Sequence, residues 1–66
     1  MITTAEVKSI LEKDWDELVE KCGNLAKEYE ETLDGDVRIM YNILYAFLYA
    51  PVSDEKKAEL YNRLEF

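Results

Sequence analysis

Histidine is absent from this sequence, and cysteine occurs once, as Cys22. Without histidine, neither a Ser–His–Asp triad nor a Cys–His pair can be assembled. A single cysteine cannot form an intrachain disulfide, and it cannot complete a structural zinc site without histidine. No metal or cofactor is therefore expected. A lone thiol outside any even cysteine framework fits a reducing compartment, so a cytoplasmic location is expected. The two glycines, Gly23 and Gly35, are isolated, and no glycine-rich loop exists to cradle a phosphate. Paired carboxylates remain open for acid–base chemistry. None falls inside the apolar seam of the first helix, where burial would raise its pKa. No catalytic residue is assigned, and the chain is read as non-enzymatic.

Basic residues are also scarce. Eight lysines and arginines face 15 acids, for a net charge of −7. The first 36 residues hold 11 acids and 4 bases, whereas the last 30 hold 4 of each. The whole excess lies in the first half. Direct binding to nucleic acid or to an anionic membrane needs a basic patch, so neither is expected. A protein partner with a basic surface fits better.

Long apolar runs are limited to residues 37–52. As a helix this run would span ~24 Å, short of the ~30 Å hydrocarbon core, and it carries Arg38 and Asn42. It reads as a core helix. The opening MITTAEVKS has no basic region followed by an apolar run, so no signal peptide is expected.

What is present is helical periodicity. Thr3 and Glu6 form a capping-box pattern, with Ile2 and Val7 as the matching hydrophobic staple. A seam then runs Val7, Leu11, Trp15, Leu18, Cys22, Leu25, Tyr29, Leu33, within an ~80° sector of a helix. It keeps its phase through Gly23-Asn24, which predicts one long helix over 4–33, bent at Gly23. Two helices split at Gly23-Asn24 are the alternative. Gly23 itself reads as a point of close approach by a neighbouring helix. Gly35 suits a left-handed position after this helix, and Asp36 suits the next N-cap. A calcium loop fails here, because Tyr41 would stand where the bidentate glutamate belongs.

The second helix is expected over 37–50, stopped by Pro51. Its apolar residues cover roughly 200° of arc, so it must be covered from two directions. Arg38, Asn42, Tyr45 and Tyr49 make up the remaining narrow strip, with Tyr41 at its border. Ser53 caps a third helix expected over 54–65, with Asp54 and Glu55 in its first turn; Phe66 is expected to fold back on the core. The fold class is thus an all-α bundle of three helices in a single domain, residues 1–66. The second helix reaches only half of the first, so Val7, Ile10, Leu11 and Trp15 need either the third helix or a second chain. A chain this short buries only ~60% of its unfolded surface and has no staples, so a homodimer is expected. Leu11, Trp15 and Leu18 are the candidate seam.

Two groups of residues could contact a partner. Glu12, Asp16 and Glu20 form a row at intervals of four, and Glu28, Glu30, Glu31 and Asp34 cluster at the far end. They read either as a solvated face or as a docking surface for a basic partner. A full DNA mimic is excluded by charge density: about one net charge per ~7 Å of helix, against one per ~1.7 Å in duplex DNA. The strip Arg38–Asn42–Tyr45–Tyr49 reads either as the edge of a small core or as an interface, where Tyr and Arg are enriched.

Two functional expectations follow. The first is a small acidic inhibitor or adaptor, of the format used by phages and mobile elements. It would dock on a basic, nucleic-acid-binding host protein such as a defence nuclease. The second is a structural homodimeric bundle serving as an assembly or regulatory subunit.

Overall fold

The computed structural model describes residues 1–64. Among these there are four helices and no strand: α1 (Thr4–Lys13), α2 (Trp15–Thr32), α3 (Gly35–Tyr49) and α4 (Asp54–Asn62). The all-α expectation holds, and the helix count changes from three to four.

The first helix breaks, but at Asp14 and not at Gly23. Asp14 sits at φ −107°, ψ 12°, outside the helical basin. Its N–H still donates to the Ile10 carbonyl at 2.9 Å, and its own carbonyl accepts from Leu18 N–H at 2.8 Å. Hydrogen bonding therefore brackets the kink on both sides, and the seam crosses it almost in phase. Asp is a poor interior helix residue, and Asp14 starts α2 without a side-chain cap hydrogen bond. Lys13 in the last turn of α1 and Asp16 and Glu17 in the first turn of α2 suit the two helix dipoles that meet there. A straight 30-residue helix would be ~45 Å long. The longest dimension of the fold is 36 Å.

The start of α1 is as expected. The Glu6 carboxylate accepts from the Thr3 N–H at 3.2 Å and from the Thr3 hydroxyl at 3.1 Å, closing the capping box. At the other end of α2 the expectation fails by two residues. The left-handed residue is Leu33, φ 55°, and no glycine has positive φ. The Leu33 N–H donates to the Tyr29 carbonyl at 2.8 Å. Asp34, not Asp36, caps α3, its carboxylate accepting from Asp36 N–H at 2.9 Å. Gly35 is the first residue of α3. Gly23 lies mid-helix, and a Cβ placed on it would meet nothing within 4 Å. It is not a point of close helix approach.

Helix α3 ends at Tyr49, before Pro51. Ser53 caps α4 by accepting from Lys56 N–H at 3.2 Å. α4 ends at Asn62, three residues short of expectation. The expected fold-back of Phe66 lies outside the described residues.

Packing follows from these turns. The tight Leu33–Asp34 connection lays α3 back along α2. α4 packs against both α1 and α3. Val7, Leu18, Cys22, Leu44, Phe47, Leu48, Ala58 and Leu60 form the buried core. The Phe47 and Tyr61 rings meet at 5.1 Å between α3 and α4. Val7 is fully buried, so α4 supplies the cover for α1 within one chain. The ~200° apolar arc of α3 is not wholly covered, since Ile39 remains 55% exposed.

Candidate docking face

Helix geometry alone puts Arg38, Asn42, Tyr45 and Tyr49 on one line of α3, at spacings of four, three and four. All four are exposed. The residues that hold α3 in place, Leu44, Phe47 and Leu48, point elsewhere into the core. The strip is therefore an exposed edge of α3, outside the buried core and touched by α2 only through Trp15 and Tyr29.

On this strip the aromatic rings form a ladder. Tyr41 and Tyr45 lie 5.8 Å apart, and Tyr45 and Tyr49 lie 4.9 Å apart with their planes tilted by 52°. Trp15, the first residue of α2, closes the ladder edge-on against Tyr49, at 5.6 Å and 86°. These spacings fall in the attractive range for offset and T-shaped aromatic pairs. Tyr45 and Tyr49 remain about half exposed, and Trp15 is 37% exposed. Ring contacts thus hold the ladder together while about half of Tyr45 and Tyr49 and over a third of Trp15 stay exposed. At its far end the Arg38 guanidinium stands 6.0 Å from the Tyr29 ring centroid, bridging α3 and α2.

The seam residues separate. Leu18 is buried and Leu11 is half-buried. Trp15 leaves the core and joins the tyrosines at the surface, a tertiary contact that its position in the sequence did not signal. Ile39 is the other residue that sequence periodicity placed wrongly. With Met40, Ile43, Asp36 and Arg63 it lines a shallow groove on the opposite side of α3.

The acids lie around α1 and α2. Glu12, Asp16 and Glu20 are all exposed, with the Asp14 kink between the first and second of them. Glu28, Glu30 and Glu31 are exposed on α2. Asp34 has a structural task as the cap of α3. Glu17 pairs with Lys21 at 3.8 Å on the helix surface, a contact worth a few tenths of a kcal/mol.

Cys22 is 5% exposed, and burial pushes its thiol pKa up. That is the opposite of what activates a thiol. Among the described residues no group of three or more His, Cys, Asp or Glu is placed to hold a metal ion. No helix there is long and apolar enough to cross a membrane.

No protein-family model, curated protein or solved structure matches this chain.

Proposed function

We propose that this chain is a small, acidic, non-enzymatic interaction module, an inhibitor or adaptor that docks on a basic protein surface. The observation that carries the reading is the exposed ladder of Trp15, Tyr49 and Tyr45. Large aromatic side chains supply interface anchors with few rotors to freeze. None of the three belongs to the buried core. The exposed acids Glu12, Asp16 and Glu20 set the sign of the partner. Its size and acidity match the format of phage and mobile-element inhibitors. A nucleic-acid-binding host protein, such as a defence nuclease, has the required basic face.

The test is capture from a host lysate followed by elution with rising salt. Salt screens exposed charges beyond ~10 Å at 0.1 M. The wild-type chain should retain a basic partner at low salt and release it at moderate salt. The triple variant Glu12→Lys, Asp16→Lys, Glu20→Lys should keep its helicity and lose the partner. Undiminished capture by the triple variant would overturn the acidic-docking reading.

A homodimer is the second reading, favoured by the apolar surface that Trp15, Tyr45, Tyr49 and Ile39 leave open on so small a chain. Sedimentation at high concentration decides it. A dimer should be split by Tyr45→Glu, and a monomeric mass removes this reading.

A further inference from the structure

Helix α3 carries two large aliphatic side chains that the core does not use. Ile39 is exposed and Met40 is half-buried, and neither packs against the buried cluster. They line one shallow groove together with Ile43, Asp36 and Arg63. Asp36, Ile39, Met40 and Ile43 follow one another at helical spacing and form a single ridge ~10 Å long. The Tyr61 ring meets Phe47, one turn beyond Ile43. Arg63, two residues after Tyr61, therefore comes to the groove from its Ile43 end, and Asp36 stands at the other end. The two charges share the groove without meeting. Among the described residues neither side chain has an ion-pair partner. The groove is thus apolar in the middle, acidic at one end and basic at the other. A surface of that pattern is complementary to its own copy across a two-fold axis.

We propose that this groove is a two-fold docking site for a second copy of the chain. The proposal rests on the homodimer reading and moves its seam from the aromatic ladder to the groove. The two α3 helices run antiparallel and cross between Ile39 and Met40, so Asp36 comes opposite the partner's Ile43. The partner's Arg63 reaches that same end, and symmetry makes the ion pair twice. Ile39 and Met40 of both copies fill the middle. Charge favours this seam over the ladder. Residues 37–66 hold 4 acids and 4 bases, and the first 36 carry the whole excess of −7. The groove is built from the near-neutral α3 and α4, whereas a ladder seam would set Trp15, flanked by Asp14 and Asp16, against its copy. The ridge is short. A standard interface buries ~800 Å² on each partner, and this contact lies below that, so association is weak and rises with concentration. On the α3 wheel Tyr45 and Tyr49 lie ~150° from the groove. The dimer therefore still presents both ladders, and a partner with two basic faces would be held bivalently.

Sedimentation equilibrium of the full chain over a rising concentration series tests the groove. The wild-type mass should climb from monomer towards dimer. Ile39→Glu puts a carboxylate into the apolar middle and should stay monomeric throughout. Asp36→Arg and Arg63→Asp each set like charges face to face and should each weaken association about tenfold. The double swap should restore it, and that rescue separates lost pairing from lost folding. Tyr45→Glu, which would split a dimer joined through the ladder, should leave a groove dimer intact. A dimer that Tyr45→Glu splits and Ile39→Glu does not would overturn the groove and leave the homodimer reading standing on the ladder. A wild type that stays monomeric at every concentration removes both. Single swaps without effect, or a double swap no better than the singles, would also overturn the proposal. So would a chain that dimerises only once Phe66 is deleted, because its own end would then fill the groove. A monomer whose capture of the salt-eluted partner is abolished by Ile39→Glu would overturn it too, because another protein would then fill the groove.

Discussion

Asn62 and Ile2 hold each other by two hydrogen bonds across nearly the whole length of the chain. The Ile2 N–H donates to Asn62 Oδ1 at 2.7 Å, and Asn62 Nδ2 donates to the Ile2 carbonyl at 3.0 Å. One amide side chain thus satisfies both backbone groups of the residue just before the α1 cap. It ties the end of α4 to the start of α1, so these helices run antiparallel and together enclose Val7.

Removing this clasp should cost more than its exposure suggests. Asn62→Ala leaves a half-buried donor and acceptor on Ile2 without partners, and the expected loss is about 1–2 kcal/mol. In a domain of this size that is a large share of total stability. Asn62→Asp retains an acceptor for the Ile2 N–H but sets a carboxylate against the Ile2 carbonyl, so it should recover only part of the loss. Urea unfolding followed by circular dichroism measures both. An unchanged midpoint for Asn62→Ala would show that the clasp contributes nothing.

Cys22 should make the fold sensitive to alkali. Burial raises its thiol pKa above the ordinary value of 9.0. The folded state therefore favours the neutral thiol. The associated stability is complete below pH ~9 and is lost as pH rises through the folded-state value. The urea midpoint of the wild type should fall between pH 8 and pH 10 more steeply than that of Cys22→Ala. The two proteins differ only at residue 22, so the difference in slope isolates the thiol. Parallel slopes would contradict the assignment.

Local chemistry made much of this fold readable. The Thr3–Glu6 box, the Ser53 cap and the Pro51 stop each act within four residues, and each appears where side-chain chemistry puts it. The strip Arg38–Asn42–Tyr45–Tyr49 was equally readable, because helix geometry alone aligns it. Asp14 was not. A one-residue kink flanked by intact hydrogen bonds leaves the apolar phase almost unchanged, so phase could not reveal it. The D-x-x-E pattern at Asp14–Glu17 is present, but the Asp14 side chain forms no cap hydrogen bond. Trp15 joining the tyrosines, and Ile39 remaining uncovered, depend on where α2 and α4 settle against α3. Periodicity within one helix carries no information about either.

Two backbone positions work against the fold, and both should yield to single substitutions. Leu33 adopts a left-handed conformation that costs a non-glycine residue about 1 kcal/mol, yet it is 72% exposed and buries little in return. Leu33→Gly should therefore stabilise the chain by about that amount. Gly23 lies in the middle of α2 with open space over it, and Gly23→Ala should add about 1 kcal/mol through helix propensity. The two sites are ten residues apart on one helix, about 15 Å, so their effects should add. Each change alone should raise Tm by about 4–8 °C, and the pair by nearly twice that. Differential scanning calorimetry of the two single variants and the double checks this. A lower Tm for Leu33→Gly would mean that its exposed side chain contributes packing at the α2–α3 turn that outweighs the backbone strain.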